Sequence, residues 1–167
     1  MAKTALILIL TFFLAQTLNS TEIYGVPIII DGDTVHINNK KIRLEGIDAP
    51  EIKQQCKKPF LKISAIIGFE FNKDYSCGVM AKKKLVDKIN NSKIKCISSS
   101  KDRYKRFLAT CFKDKINLNK WMVRNGNAVA YKRYSKDYVR DEAYAKENKL
   151  GVWKGSFIMP EKWRKLN

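Results

Sequence analysis

The sequence predicts an α+β fold, a five-stranded Greek-key β-barrel of the OB kind carrying three helices. Two observations support it. Five short apolar or alternating segments are interrupted by a single helix-periodic segment, and two further helix-periodic segments gather near the C-terminal end. The 167 residues, 45% of them hydrophobic, match the size of one domain and can fill one core.

Residues 1–20 are set aside before the fold is read. Lys3 precedes the apolar run Ala5–Ala15, which is too short for a bilayer span of about 20 residues. The polar Gln16-Thr-Leu-Asn and the small Ser20 follow, so the segment reads as a secretory signal cleaved near Ser20 rather than an anchor. Residues 21–167 remain as a single domain, exported to the medium or a periplasm, with no stable membrane association once the signal is gone.

From Tyr24 the pattern is strand, turn, strand. Val26–Ile30 is apolar, Asp31-Gly32-Asp33 is a turn signal, and Thr34–Ile37 alternates. Asn38-Asn39-Lys40 suits a tight hairpin because Asn tolerates positive φ, and Lys41–Leu44 returns as the third strand. Residues 51–76 show weak periodicity and the basic pair Lys57-Lys58, and are expected to form an irregular excursion. Cys77–Ile89 reads as a helix, with Ala81, Leu85 and Ile89 spaced by four. Lys93–Ile97 and Phe107–Phe112 are the last two strands. Asn117 caps a helix that runs through Val123 and stops at Asn125-Gly126, while Ser135 or Asp137 starts another ending before Gly151.

A formal charge of +17, from 33 Lys and Arg against 16 acids, makes nucleic acid the first partner to consider. Four cysteines form an even set with no C-x-x-C pair, which argues against a zinc ribbon and, with export, for two disulfides. Three pairings are open. Cys96 and Cys111 lie in neighbouring apolar segments able to pair as antiparallel strands, which leaves Cys56 with Cys77. His36, the only histidine, alternates with Val35 and Ile37 as an exposed strand residue and excludes any two-histidine nuclease chemistry.

Metal-assisted phosphodiester hydrolysis needs carboxylates for a hard cation, a group that orients water, and cations that take up charge on the phosphate. Asp31-Gly-Asp33-Thr34 and Asp48-Ala-Pro-Glu51 offer four carboxylates at two turns. Each motif alone is an ordinary loop. Their order is the specific signal, with a hairpin between them and Arg43 on the connecting strand.

Ile30-Asp-Gly-Asp-Thr-Val35, Ile42-Arg-Leu-Glu-Gly-Ile-Asp-Ala-Pro-Glu51 and Asp102-Arg-Tyr-Lys-Arg106 closely resemble the staphylococcal nuclease family. The likeness continues through Cys77-Gly78, Trp121–Gly126, Ala130-Tyr131 and Gly151-Val-Trp153. It implies that Asp33, Asp48 and the carbonyl of Ala49 hold one Ca2+ ion, with Asp31 behind them. It also implies that Glu51 positions or deprotonates the attacking water, while Arg43 and Arg106 grip the scissile phosphate. The implied reaction is hydrolysis of DNA and RNA toward 3′-phosphates by a monomer. Tyr104 and Tyr131 are candidates to stack on bases, and Lys105 adds charge beside the substrate.

Three departures from the family pattern stand out. Ala49 replaces a frequent Thr, Lys105 replaces the Gly expected before Arg106, and residues 52–76 form an insertion. The rival function is a non-catalytic nucleic-acid-binding module on the same fold. Retention of Asp33, Asp48, Glu51, Arg43 and Arg106 together favours the enzyme, because a binder has no use for carboxylates facing phosphate.

Overall fold

The computed structural model describes residues 20–63 and 69–167. The expected signal lies outside them except for Ser20. Eleven strands and four α-helices follow in the described residues: β1 (Thr21–Gly25), β2 (Ile28–Ile29), β3 (Thr34–Ile37), β4 (Lys40–Leu44), β5 (Ile47–Asp48), β6 (Gln55–Ile63), β7 (Phe69–Ser76), α1 (Cys77–Ile89), β8 (Ile94–Lys101), β9 (Phe107–Lys113), β10 (Ile116–Asn117), α2 (Leu118–Arg124), β11 (Val129–Ala130), α3 (Val139–Glu147) and α4 (Pro160–Leu166). A 3-10 turn, Gly151–Lys154, precedes α4.

The main sheet runs β1-β8-β9-β4-β3-β2, with β10 beside β9. All its pairs are antiparallel except β4 with β9, which is parallel. The sheet curls until β1 also approaches β3, the half-barrel expected of an OB-like α+β fold. Its concave face buries Val35, Ile37, Ile42, Leu44 and Ile94, which pack with Leu85 of α1 and Leu118, Met122 and Val123 of α2. The hairpin between β3 and β4 has both Asn38 and Asn39 at positive φ, the geometry for which those residues are suited. Asn117 caps α2 by accepting the Lys120 N–H at 2.9 Å.

Both expected disulfides form. Cys96 and Cys111 face each other in the β8–β9 register with Cα atoms 4.0 Å apart, and Cys56 joins Cys77. Within 52–76 the irregular excursion gives way to an antiparallel hairpin, β6–β7. It escapes the alternation test because Phe60 and Phe71 stay exposed alongside Lys57 and Lys73, so the apolar residues do not mark a buried face there. The first strand also starts earlier than expected, at Thr21, and pairs with β8 at the sheet edge. Of the expected Val26–Ile30 strand only Ile28–Ile29 pairs. A fourth helix, α4, adds to the expected three. His36 is half-buried on β3 rather than exposed.

Candidate active site

Three turns of chain converge on one point. At the first, the Asp31 carboxylate accepts the Asp33 N–H at 2.9 Å and closes the turn between β2 and β3. Gly32 is required there because a Cβ would lie 2.7 Å from the Ala49 Cβ and 3.0 Å from that of Ala81. The missing side chain lets this turn press against both the segment after β5 and helix α1. At the second, Asp48 sits at the end of β5, opposite Val129 of β11. At the third, Glu51 follows Pro50. A Cβ on Gly78 would collide with the Glu51 carbonyl, so glycine lets the first turn of α1 rest on that backbone. The Cys56–Cys77 bond ties the same loop to α1.

Asp33 and Asp48 are 3% and 1% exposed, and Arg43 on β4 bridges them. Its two terminal nitrogens lie 2.8 Å from Asp33 Oδ1 and 2.9 Å from Asp48 Oδ1. Asp33 also accepts the Thr34 hydroxyl at 3.1 Å and the Ala49 N–H at 2.9 Å. These donors favour the anion. Burial outweighs them, with the charges of Asp31 and Asp48 adding to it, and carries the Asp33 pKa up to about 7. For Arg43, burial opposes the charge but the two aspartates prevail, and its pKa is raised.

The oxygen donors suit a hard cation: two carboxylates and the Ala49 peptide, which Asp33 holds beside it through the N–H bond. Among the described residues no group of three or more His, Cys, Asp or Glu side chains forms a metal cage. A cation here would therefore rely on the aspartate pair, the Ala49 carbonyl and water.

Arg106 is near but not joined to this cluster. The parallel register Ile42↔Phe107 places it at the end of β9 beside the strand that carries Arg43. Its guanidinium instead pairs with Asp102, Nε to Oδ2 at 2.8 Å. Burial works against the Asp102 charge, but the Arg106 bonds and charge, with the Tyr104 N–H, together outweigh it and lower the Asp102 pKa. Lys105 adopts φ +63°, the left-handed conformation for which glycine is suited. Tyr104 is 63% exposed, with the guanidiniums of Arg103 and Arg106 over its ring, so it is no packing residue. Tyr131 is half-buried and, with Asp48, Lys132, Arg133 and Met159, lines an open cleft of about 440 Å³.

Sequence reasoning missed Arg164. It reaches in from α4 with one nitrogen 2.8 Å from Glu51 Oε1 and 2.9 Å from Asp48 Oδ1, and the other 3.0 Å from Asp48 Oδ2. Burial opposes its charge, but bonds to Asp48 and Glu51 outweigh that and raise its pKa. Only Pro160, a helix-start signal, marked this region, and nothing set Arg164 apart from the other cations.

The family described as staphylococcal nuclease homologue matches residues 41–155, a span that ends before α4. The chain is 33% identical over 135 residues to a succinoglycan biosynthesis protein, ExoI, of Rhizobium meliloti, covering 79% of this chain and 65% of that one. It is 32% identical over 170 residues to an uncharacterized endonuclease of Haemophilus influenzae, covering 97% and 83%. A micrococcal nuclease of Shigella flexneri is 26% identical over 157 residues, covering 83% and 78%. A family match over more than half the chain, with a 32% identical relative covered over 83% of its length, shows that the chain belongs to the staphylococcal nuclease family.

Proposed function

We propose that this chain is an exported nuclease that hydrolyses phosphodiester bonds of DNA and RNA with one Ca2+ ion, leaving 3′-phosphates. The observation that carries this reading is the buried Asp33–Arg43–Asp48 bridge with Glu51 beside it on a chain of charge +17. Sequestering two carboxylates costs several kcal/mol of hydration, on the order of the penalty for any buried ion. A protein that only bound polyanions would gain nothing from them.

Asp33, Asp48 and the Ala49 carbonyl would hold the ion, which supplies a positive charge against a phosphate oxygen and a site for water. Glu51, one-third exposed, orients that water and accepts its proton. Arg43 has its fork at the aspartates and carries the paired donors that would hold two oxygens of a phosphate. Arg106, directed by Asp102, supplies the second guanidinium, and exposed Tyr104 offers a face to a neighbouring base. Two disulfides and the N-terminal apolar run support export.

Glu51→Gln tests the reading. The variant should bind a single-stranded oligonucleotide as well as the parent or better, yet turn over at least about a hundredfold more slowly with Ca2+ saturating. Parent-rate cleavage by Glu51→Gln would remove Glu51 from the chemistry, and undiminished cleavage in chelator would remove the metal.

A further inference from the structure

Resting on that nuclease reading, we propose that Arg164 is the residue that positions Glu51, a third functional arginine of the site brought in by α4. Three bonds carry the proposal. Arg164 forks onto both oxygens of Asp48 at 2.9 and 3.0 Å, and one of the same nitrogens reaches Glu51 Oε1 at 2.8 Å. Among the described residues, Arg164 is the only group that bonds the Glu51 carboxylate. Glu51 otherwise has only its backbone restrained, and its carboxylate would repel that of Asp48. A guanidinium shared between the two cancels the repulsion and selects one orientation of the longer side chain.

The approach of α4 is built rather than incidental. Gln54 accepts the Glu51 N–H at 3.3 Å through Oε1 and donates through Nε2 to the Ile158 carbonyl at 2.6 Å. Gln54 is fully buried, so one side chain joins the Glu51 loop to the segment that leads into α4. The Lys57 N–H donates to the Ser156 carbonyl at 2.9 Å and adds a second tie. Buried Pro160 then opens the helix, which places Arg164 one turn further along. Lys165 of the same helix pairs with Glu161 instead.

A positioning role differs from two simpler ones. An arginine that merely neutralised Asp48 would compete with a divalent ion for that carboxylate. An arginine that only gripped substrate would act on binding and not on turnover. Arg164 acts through Glu51, so its removal is expected to lower kcat with KM near the parent value, even where freeing Asp48 tightens Ca2+ binding.

The experiment uses the full domain and the variants Arg164→Gln, Arg164→Lys, Glu51→Gln and the double variant Glu51→Gln/Arg164→Gln, with Lys165→Gln as a charge control. Turnover and KM are measured on single-stranded DNA at saturating Ca2+, Ca2+ affinity by calorimetry, and folding by thermal melts. Arg164→Gln should lower kcat by about 10- to 100-fold, the cost of a misplaced catalytic group. Arg164→Lys, which keeps the charge but loses the fork, should recover part of it. In the Glu51→Gln background the second substitution should cost nothing further, because the two residues act as one unit.

Tighter Ca2+ binding with undiminished kcat in Arg164→Gln would make Arg164 a competing cation and overturn the proposal. A raised KM at parent kcat, or additive losses in the double variant, would overturn it too. Should Arg164→Gln fail to fold, Arg164→Lys carries the same kcat and double-variant tests, and parent kcat there refutes the fork. Parent-rate Arg164→Gln beside an inactive Glu51→Gln sinks this proposal alone, whereas an inactive parent sinks the nuclease reading itself.

Discussion

Calcium affinity should fall as pH drops through 7, with Asp33 as the cause. A metal ligand must be deprotonated, and burial carries the Asp33 carboxyl up to about 7. The anion is then the minor form at pH 6 and the major form at pH 8, so the apparent Kd should differ by roughly an order of magnitude between them. Binding at pH 6 should release most of a proton per ion, and at pH 8 far less. The ion-free protein has the opposite sign. Its folded state keeps a proton on Asp33 that the unfolded chain, with the ordinary value of 3.8, gives up. That contribution to stability is fully present below the unfolded value and is lost as pH rises through about 7. Calorimetry at pH 6, 7 and 8 and constant salt, in two buffers of different ionisation enthalpy, reads affinity and proton release together. A Kd constant within about twofold across that range, with no proton released, would refute the assignment of Asp33 as a ligand protonated near neutrality.

Lys105→Gly should raise stability by about 0.5 kcal/mol, since glycine removes the cost of φ +63° but returns freedom to the unfolded chain; a lower melting temperature would count against strain at that turn. Removing Cys96–Cys111, which closes a separation of 15 residues in the core, should cost about 3 kcal/mol and roughly 6–12 °C of Tm with little loss of kcat in the folded fraction. Removing Cys56–Cys77 should instead lower kcat as well, because that bond holds the Glu51 loop against α1, and parent kcat at a temperature where the variant is folded would contradict this. Arg43→Lys should reduce kcat/KM by about a hundredfold, as a compact ammonium lacks the planar fork that spans both aspartates or two phosphate oxygens, and parent activity would remove that role.

The parts of the fold legible in the sequence are those whose signal is local. Asn38-Asn39 announced a two-residue hairpin because few other residues accept positive φ twice in succession. Ala81, Leu85 and Ile89 announced α1 because the helix has a single core face. The Asp31–Asp33 turn and the Asp48–Glu51 loop were legible as candidates, and the structure brings Asp33, Arg43, Asp48 and Glu51 together. The β6–β7 hairpin was not legible because Phe60 and Phe71 are exposed like Lys57 and Lys73, so hydrophobicity there does not follow burial. Nor was the role of Asn119, whose buried amide accepts the Cys111 N–H and donates to the carbonyls of Glu45 and Ala109. In sequence it is one polar residue inside a helical pattern.

Arg164 shows the limit most clearly, because what makes it a site residue is closure over a long loop. It lies 113 residues from Glu51 and 116 from Asp48 in sequence, so no spacing rule links them. The sequence did hold Gln54, the side chain that joins the two segments, but glutamine carries no signal until both of its partners are placed. The dependence also runs in one direction. The Asp33–Arg43–Asp48 bridge is made by residues of the barrel and its turns, to which α4 adds a second guanidinium on Asp48, whereas the Glu51 carboxylate takes its orientation from α4. Metal binding and water activation should therefore respond separately to damage at the C-terminal end. Loosening α4 should leave Ca2+ affinity undiminished, or raise it by freeing Asp48, and yet depress turnover, which a site assembled from the barrel alone would not allow.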